Sequence, residues 1–585
     1  MSENKIWDIF PSISIEKLKS IQTHPVVAQV LHNRGYQTVE AVREFFSADG
    51  GDANFFLDLN PFELTDMEKA VERILKAIKN EEMIAVYGDF DADGVTSTAL
   101  MFQALNALGA KIVPYIPDRV DEGYGLNDNA LKTLFQSGIT LVITVDCGIR
   151  SVSEIQTAAQ YGLDVIVTDH HHLGDQLPTA AIAIVNPQRG EGDYKYICGC
   201  AVAFFLITAI CQYLWRNTQD AAERHIQKYR DFLDELIDLV AIGTVADMMP
   251  LNIKINRQFV QRGLIFMNDE DLLRMPLKYL KQISKINSDI NSTSIGFNLA
   301  PRLNAAGRLA RADTAFQLLI SNSAERCTFF AQELDALNKQ RQKLTKEAFE
   351  TLVIEIEENK LYEKNIIILQ GDILGGIIGL VAGKLCEKYQ RPVIVFENGS
   401  SDDFMRASCR SIEGYHILNA LETISEKLVK YGGHAQAAGL TIHKVDFDIF
   451  KSSIEAHAEK NMQVISPRLR IDALVNLSDV SEYLFNELKI LEPFGFSNPQ
   501  PLFASERLQI IDFKTIGDGT HLKLMFRNPS KGARALEGIF FGAGHLATDL
   551  PQFVDIAYYL EVNEWNGEQN IQLNIQDMKP SQQLF

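Results

Sequence analysis

The sequence predicts a multidomain α/β protein in which a parallel sheet, a long helix, a second α/β unit and a β-rich region follow one another. Three observations predict it: a length of 585 residues, apolar runs that alternate with helix-length segments, and closely spaced strand-like runs near the C-terminus. At about 150 residues per domain, this length corresponds to three or four domains. We place the segments at 1–70, 71–322, 323–362, 363–463 and 464–585.

The N-terminal 70 residues are expected to form an extension of short helices and loops that packs on the region after it. From residue 81 the pattern changes to short β-branched runs separated by amphipathic stretches. Runs this apolar are buried on both faces, which is typical of a parallel sheet with crossover helices. The five runs are MIAVYGDF (83–90), KIVPYIP (111–117), TLVITVD (140–146), LDVIVTD (163–169) and AIAIVNP (181–187).

A long polar helix is predicted from Ser323 to Lys360, because this stretch contains no internal glycine or proline. Its length favours a strut between domains. A second α/β unit follows from about Asn365, with NIIILQGD and PVIVFE as strands and GLVAGKLCEKY as a helix. After about Ser466, evenly spaced strand-like runs with Gly and Asn turns predict a small β-barrel or sandwich.

Composition excludes several classes of protein. The 46% hydrophobic and 23% charged fractions are not those of a disordered chain or a fibre. The longest apolar run, Ala201 to Cys211, is far shorter than the ~20 residues of a membrane helix, and MSENKIWDIF lacks the features of a secretory signal. Seven irregularly spaced cysteines favour a cytoplasmic protein with reduced thiols. The net charge of −20 would ordinarily argue against nucleic acid as a partner.

The strongest chemical signal is the segment VYGDFDADGVTSTAL, in which Asp89, Asp91 and Asp93 alternate just after a predicted strand. Three ionised carboxylates this close repel one another unless cations lie between them. An Asx-rich turn with a helix N-cap is the structural alternative. A calcium loop is disfavoured, because the bidentate Glu at the twelfth position is missing.

Two further predicted strands also end in polar residues. Asp146 follows one of them, and Asp169 with His170, His171 and His172 follows the next. Only one or two of these successive histidines can reach a shared site. The apolar segment LVAIGTVADMMPL delivers Asp247, for which a helix cap is the alternative.

These segments together predict a cluster of carboxylates and imidazoles. Such a ligand set suits manganese or magnesium better than structural zinc. Four segments that converge on one crevice are enough for two cations, which can activate a water and stabilise a leaving oxygen. Hydrolysis of a phosphate ester or anhydride is therefore the predicted reaction class.

The order D-x-D-x-DG, VDCG, DHH and GTVAD closely resembles the DHH phosphoesterase superfamily. Within it, the chain resembles the RecJ family over roughly residues 50–585. The segments that carry this resemblance include YIPDRVDEGYGLN (115–127), CGCAVAF (198–204), APRLNAAGRL (300–309), LVKYGGHAQAAGL (428–440) and LEPFGFSNPQPLF (491–503).

The resemblance implies a metal-dependent exonuclease of DNA repair and recombination that degrades single-stranded DNA from the 5′ end and releases nucleoside 5′-monophosphates. It implies a DHH catalytic domain at 71–322, a linking helix at 323–362 and a DHH-associated domain at 363–463. An oligonucleotide-binding (OB) barrel that binds DNA would occupy 464–585. Single-stranded DNA would be the main partner, with a single-stranded-DNA-binding protein and a repair helicase as further partners and no membrane.

The resemblance also divides the site residues between two manganese or magnesium ions. Asp89 and Asp91 would bind one ion, Asp93, His170 and Asp247 would bind the other, and Asp146 would bridge both. As catalytic residues beside Asp146, His171 would contact the scissile phosphate and Asp169 would orient an imidazole. The predicted DNA-binding residues are Arg302, Asn304, Arg308, Ser408, Arg410, Gly433 and His434.

The chain departs from the family in the second α/β unit. Ile373 and Leu374 stand where RecJ-like proteins usually carry Trp-His, so no contact of that His is carried over. Ser497 replaces a second glycine in the PFG-x-GNP segment, a milder change.

In the predicted barrel, DNA contacts are expected from a basic hairpin and from aromatic stacking. The basic candidates are Lys514, His521, Lys523 and Arg527. Phe526 and Trp565 are the candidate stacking platforms, with core packing as the alternative for each.

Two other functions stay open at the level of sequence. One is a DHH phosphodiesterase that acts on short RNA oligomers or cyclic dinucleotides. The other is a non-catalytic DNA-binding scaffold.

Overall fold

The computed structural model describes residues 5–21, 23–47, 51, 55–119, 122–216, 223–398, 403–463, 467–529, 534–565 and 568–581. The chain forms two compact units. One consists of Met1–Asp49 together with Ser466–Phe585, and the other of Gly50–Ile465.

The larger unit begins with a five-stranded parallel sheet. All five predicted runs form its strands, and the second of them in chain order, Lys111–Tyr115, lies at one edge of the sheet. The central strand is buried along its whole length because helices cover both faces, which explains its continuous apolar sequence. In spatial order the strands are Lys111–Tyr115, Met83–Tyr87, Leu141–Val145, Asp164–Thr168 and Ala183–Val185.

Helices enclose this sheet and extend the core beyond it. Gly199–Arg216 is the most apolar of them and is buried from Gly199 to Gln212. By length and composition it could cross a membrane, but 78% of it is buried inside the protein, as in a core helix. The helices of this region are Phe55–Asp58, Met67–Lys79, Ala92–Ala107, Asp128–Gln136, Val152–Tyr161, Gly199–Arg216, Glu223–Asp234, Ile237–Ala246, Lys254–Asn268, Met275–Ile283, Ser292–Ser294, Ala300–Leu309 and Asp313–Leu319.

The predicted long helix extends from Ala324 to Glu358. It leads to a second five-stranded sheet, in which Ile367–Gly371 and Val393–Glu397 are parallel and the remaining strands pair antiparallel. In spatial order the strands are Leu428–Gly433, Ala437–His443, Phe404–Arg410, Val393–Glu397 and Ile367–Gly371. The helices of this part are Gly375–Tyr389, Ile417–Glu422 and Phe447–Asn461.

The smaller unit joins the two ends of the chain. Strand Ile6–Ile9 pairs in parallel with Arg468–Ile471, and the Trp7 indole donates a hydrogen bond to Asp577 at 2.7 Å. Residues 1–49 therefore form a unit with the C-terminal region, whereas the sequence suggested that they pack on the segment after them. The reason is non-local strand pairing, which no pattern in these 49 residues encodes. Their helices are Ile15–Ser20, Pro25–Asn33 and Val39–Ser47.

The β-rich region is a closed five-stranded barrel. Phe503–Ile516 pairs with strands on both of its sides, and its pairing with Phe553–Trp565 closes the ring. Closure leaves no free edge that could pair with another chain. The barrel strands are Phe503–Ile516, His521–Arg527, Ala535–Phe540, Glu568–Pro580 and Phe553–Trp565; Ala473–Leu474 adds a short parallel strand and Glu482–Leu488 a helix.

The structure changes the interpretation of one of the two aromatic candidates in the barrel, Phe526. Phe526 is fully buried in the barrel core, so its prediction as a stacking platform is wrong and core packing is its role. The alternation of a barrel strand explains this, because Leu522, Leu524 and Phe526 share the inward face. The side chain of Trp565 lies outside the described residues.

We expect Phe526→Ala to destabilise the barrel by about 3–5 kcal/mol, because it removes a fully buried ring and leaves a cavity. Hydrogen–deuterium exchange of residues 503–580 in the full chain measures the effect as faster exchange. Phe513→Ala is the matched control, since Phe513 is 47% exposed. Equal exchange in the two variants would contradict the core assignment.

Candidate active site

Six acidic residues meet at the carboxyl edge of the parallel sheet. Asp89, Asp146 and Asp169 each follow a strand directly or within two residues, which places them at the edge where such sheets bind ligands. Asp91 is the N-cap of helix Ala92–Ala107, and Asp247 caps the C-terminus of helix Ile237–Ala246. Asp93 lies in the first turn of the helix that Asp91 caps.

Backbone N–H groups fix two of these carboxylates. Oδ1 of Asp91 accepts hydrogen bonds from the backbone N–H groups of Asp93 and Gly94, both at 3.0 Å. The N-cap alternative for this segment is therefore real and coexists with the acidic cluster. Asp93 accepts from Gly199 at 2.6 Å and from Cys200 at 3.0 Å. The positive end of helix Gly199–Arg216 thus holds Asp93 in place.

Asp146 depends on a close approach by the same helix. Its backbone is in the left-handed region with φ of 61°. A Cβ on Gly199 would lie only 2.5 Å from the Cβ of Asp146, so only glycine leaves room at that position. Glycine at the start of this helix therefore sets the position of Asp146.

Several buried polar atoms of the cluster have no hydrogen-bond partner among the described residues. They are Oδ1 of Asp89, Oδ1 of Asp146 and Nε2 of His170. The His170 Nε2 atom lies 3.1 Å from Oδ1 of Asp146 and 3.4 Å from Oδ2 of Asp247. Buried acceptors without donors are unfavourable in a folded protein unless a ligand satisfies them.

The ligand atoms form three groups in which all atoms lie within 4.8 Å of one another. Carboxylate-rich groups with one or two imidazoles fit manganese or magnesium. The residues present therefore fit divalent cations, whereas the division of ligands between two ions stays a prediction. The groups are Asp89, Asp91 and Asp146; Asp93, His170 and Asp247; and Asp146, His170 and His171.

The pKa values of the cluster reflect burial and repulsion. Burial and then the charge of Asp91 raise the pKa of Asp93 to about 6 and that of Asp89 well above its usual range. Burial, followed by the charge of Asp93, likewise raises the pKa of Asp146. Burial and then the charge of His171 lower the pKa of His170 to about 4, so this imidazole is neutral at pH 7 and ready to bind a cation.

The pKa of His171 is raised, whereas that of His170 is lowered. Burial is the largest single influence on His171 and would lower its pKa. The hydrogen bond between its Nδ1 and Oδ1 of Asp169 at 2.8 Å, together with the negative charges of Asp169, Asp247 and Asp89, outweighs burial and raises the pKa to about 9. Asp169 also accepts from the backbone N–H groups of Ile149 and His170. Asp169 is thus turned towards the backbone and orients the His171 ring. The Tyr124 hydroxyl lies 3.1 Å from the same Nδ1.

A cleft of ≈ 2080 Å³ runs beside this cluster, between the parallel sheet and the second α/β part of the same unit. Seven site residues predicted from sequence line it: Asp169, His170, His171, Asp247, Arg308, Gly433 and His434. The imidazole of His434 meets that of His172 edge to face, with ring centroids 5.6 Å apart. The two halves of the cleft are therefore in contact through these rings.

Arg308 links the two halves of the cleft. Its guanidinium donates to the carbonyl of Gly376 at 2.9 Å. Burial and then the charges of Arg119 and Arg341 lower the pKa of Arg308 to about 10. Closely placed, partly desolvated guanidinium groups favour an anionic ligand.

The other predicted DNA-binding residues do not line the cleft. Arg302 is bound to Asp335 of the long helix, with Nε 3.0 Å from Oδ1, and to the Asn298 carbonyl. Asn304 accepts from the N–H of Ala92, and Ser408 accepts from Arg410 at 3.1 Å. These contacts brace the elements around the site.

Sequence reasoning missed several residues of the cleft. Arg119 lies over the Phe90 ring at 4.4 Å, and the charges of Asp89 and Asp91 act on it. It and Tyr124 belong to the segment YIPDRVDEGYGLN, where they could have been found. Arg150 and Arg406 also line the cleft, and no local pattern marks them.

Comparison with protein families identifies the parts of the chain. Residues 83–244 match the model of the DHH family, N-terminal domain, residues 363–460 match the DHHA1 domain, and residues 471–577 match the RecJ OB domain. The fold and the acidic site thus define a DHH phosphoesterase. The relatives and solved structures it resembles specify the family: the chain belongs to the RecJ family of single-stranded-DNA-specific exonucleases.

The similarity to that family extends along most of the chain. The exonuclease RecJ of Bacillus subtilis (strain 168) is 36% identical, over 97% of this chain and 70% of its own length. That of Escherichia coli (strain K12) is 34% identical, over 88% and 91%. The crystal structure of RecJ from Thermus thermophilus with Mn²⁺ matches 99% of this chain and 80% of its own, with a TM-score of 0.81 and 28% identity; the Mg²⁺ complex gives 0.73 and 27%, with 99% and 79% covered.

We expect Mn²⁺ affinity to fall as the pH drops through about 6. The carboxylates have raised pKa values, so below that pH they are protonated and must release protons to bind a cation. His170 releases none above pH 5, because its pKa is about 4. Calorimetric titration in buffers of different ionisation enthalpy measures the proton release; Mn²⁺ affinity independent of pH between 5 and 7 would contradict the assignment.

We expect Gly199→Ala to weaken Mn²⁺ binding about 10- to 100-fold, because the new Cβ displaces Asp146. Gly383→Ala is the control, since a Cβ there meets nothing within 4 Å. Mn²⁺ titration of both variants, with circular dichroism to verify folding, measures the difference. Equal affinities would show that Asp146 does not depend on this glycine.

Proposed function

We propose that this protein hydrolyses single-stranded DNA from the 5′ end and releases nucleoside 5′-monophosphates, using two manganese or magnesium ions. Membership of the RecJ family supports the substrate and the reaction. One structural observation supports the chemistry above all others: Asp89, Asp146 and His170 have buried acceptor atoms with no hydrogen-bond partner among the described residues, and they belong to the groups of close ligand atoms.

We propose the division of ligands that the resemblance implies. Asp89 and Asp91 would hold one ion, Asp93, His170 and Asp247 would hold the other, and Asp146 would contribute to both. When bound, the two cations supply water activation and neutralise the charge of the phosphate. The two groups of close ligand atoms around Asp89 and around Asp93 support this division.

His171 would contact the phosphate, and Asp169 would orient the His171 ring. His171 is protonated at neutral pH, because its pKa is about 9, and its Nδ1 is engaged with Asp169. Its Nε2–H is therefore the group that donates to a phosphate oxygen and stabilises the negative charge of the transition state. Asp169 holds the ring in this orientation.

The strand would pass along arginines in a cleft that also carries acidic residues. Arg119, Arg150, Arg308, Arg311 and Arg406 line the cleft. Charges are screened over about 8–10 Å in physiological salt, so these arginines act on a phosphate beside them although the net charge is −20. This arrangement supports salt-sensitive binding of single strands through the contacts of the phosphates.

We retain four predicted segments as functional domains: 71–322 for catalysis, 323–362 as the link, 363–463 as the DHH-associated domain and 464–585 for DNA binding. The predicted extension 1–70 is divided, because residues 1–49 belong to the unit of Ser466–Phe585 and the chain from Gly50 belongs to the larger unit. A cytoplasmic location fits the seven cysteines, which are all free and buried. A single-stranded-DNA-binding protein and a repair helicase are the proposed protein partners, on the basis of the family alone.

Asp146→Ala should abolish hydrolysis and leave most single-strand affinity intact, because the cleft arginines remain. A time course on 5′- and 3′-labelled single and double strands with Mn²⁺ measures rate, direction and strand preference, with a dinucleotide as competing substrate. Asp175→Ala, which alters an exposed loop residue, is the control. Full activity of Asp146→Ala, or preference for the dinucleotide, would overturn the proposal.

A further inference from the structure

Tyr196 is an exposed aromatic residue in the wall of the cleft. It is the last residue of the short helical turn Asp193–Tyr196, and it lines the cleft together with Met249 and Pro250. The residue is 49% exposed. Among the described residues its ring stacks on no other ring and its hydroxyl has no hydrogen-bond partner. An uncovered aromatic ring in a cleft is available to a ligand.

Two neighbours of Tyr196 in the chain pack in the protein core. Tyr194 meets Phe205 edge to face, with ring centroids 4.8 Å apart, and Ile197 is fully buried. The core cluster that includes both of these neighbours does not include Tyr196. Hydrophobic packing therefore accounts for the position of the segment, but not for the Tyr196 ring.

The backbone beside this ring is bound to the segment that carries His170. The Lys195 carbonyl accepts a hydrogen bond at 2.8 Å from the side-chain amide of Gln188, which also donates to the His170 carbonyl at 3.4 Å. The backbone of Ile197 forms a hydrogen bond with the His170 ring. The position of Tyr196 is therefore fixed relative to His170.

Asn256 connects Tyr196 to the segment that carries Asp247. This fully buried residue donates from Nδ2 to the Tyr196 carbonyl at 2.8 Å and to the Pro250 carbonyl at 3.2 Å. Pro250 follows Asp247 by three residues. Tyr196 is thus held beside two candidate ligands of one cation, and a ring that is ordered in advance loses little conformational entropy when a ligand binds.

The Tyr196 ring and the cleft arginines lie beside different groups of ligand atoms. Tyr196 is next to the group that contains His170. The charge of Asp91, which belongs to another group, acts on both Arg119 and Arg308. A phosphate bound at the cations would therefore have arginines on one side and the tyrosine ring on the other.

The proposed cleavage needs one nucleotide on each side of the scissile phosphate. The terminal nucleotide leaves as a monophosphate, and the charge of its phosphate suits the arginines. The second nucleotide stays on the strand, so its base is the group that meets the ring. Aromatic side chains bind the bases of single strands by stacking, which tolerates every base because each has a π-face.

We propose that the Tyr196 ring is a stacking platform for the base of the second nucleotide, which directly follows the scissile phosphate. This inference rests on the proposed function and adds a subsite to it. The subsite takes any of the four bases, and it discriminates against a strand that lacks a base at this position.

The test uses the full chain with Mn²⁺ and 5′-radiolabelled single strands, and it measures kcat/KM for release of the first nucleotide. Stacking of one base contributes about 5- to 150-fold in binding, so we expect Tyr196→Ala to lower kcat/KM on an intact strand by a factor in this range. An unchanged kcat/KM would overturn the proposal. No hydrolysis of the intact strand by the wild-type protein would instead refute the proposed function.

A strand with a single abasic site at the second nucleotide identifies the partner of the ring. On this strand Tyr196→Ala should be as fast as the wild-type protein, because the base that the ring contacts is already missing. An equal loss on intact and abasic strands would overturn the proposal. So would a loss that disappears only when the abasic site is at the first nucleotide.

Substitutions at the same position separate stacking from simple apolar contact. Tyr196→Phe and Tyr196→Trp should keep most of the wild-type kcat/KM, since both retain an aromatic ring. Tyr196→Leu should behave like Tyr196→Ala, since leucine is apolar but has no π-face. Full activity of the leucine variant would overturn the proposal.

Two controls exclude a structural effect. Tyr362→Ala changes an exposed tyrosine outside the cleft and should keep the wild-type kcat/KM. The Mn²⁺ affinity of Tyr196→Ala should be unchanged, because the side chain forms no hydrogen bond with the candidate ligands. A weakened Mn²⁺ affinity would assign the ring to the metal site and overturn stacking.

Discussion

The repulsion among carboxylates packed into one buried crevice is the constraint on which the rest of the structure depends. Asp89, Asp93, Asp146 and Asp247 all have raised pKa values, because burial and neighbouring negative charges disfavour their ionised forms. A protein keeps such a cluster only if something else compensates it. Divalent cations do so most directly, and the unpaired atoms in the crevice face the space where they would bind.

The backbone holds the carboxylates together despite their repulsion. Strand ends bring the carboxylates to one edge, and the first N–H groups of helix Gly199–Arg216 hold Asp93. Gly199 allows that helix to approach Asp146. The ligands are thereby ordered before any cation binds, so that little conformational entropy is lost on binding.

Across the cleft, positive charges lie close to one another. Arg308 is partly desolvated beside other arginines and is anchored on the Gly376 carbonyl of the second α/β part. Cations bound in the acidic crevice would reduce the repulsion among the carboxylates. An anionic strand bound beside them would reduce the repulsion among the arginines.

The strands, the long helix and the cluster of aspartates and histidines could be predicted from sequence because each leaves a local pattern. Strands buried on both faces must be apolar throughout, as Leu141–Val145 is, and polar residues directly after them must lie at the sheet edge. The bracing contacts of Arg302 and Asn304 could not be predicted, because an arginine that binds phosphate and one that binds Asp335 are identical in sequence. The prediction of Phe526 as a stacking platform was wrong for a different reason: Phe526 shares its face of the strand with Leu522 and Leu524, and this apolar face points into the barrel core.

By itself, the sequence determined the order of the domains, the cluster of aspartates and histidines, and the family to which the chain belongs. These depend on residue types at fixed spacings along the chain. Only the tertiary structure decided that residues 1–49 join the C-terminal unit, that Arg119 and Arg406 line the cleft, and that Gly199 and Cys200 hold Asp93. The physical reason is that burial and pairing arise between segments distant in sequence, so they exist only once the chain has folded.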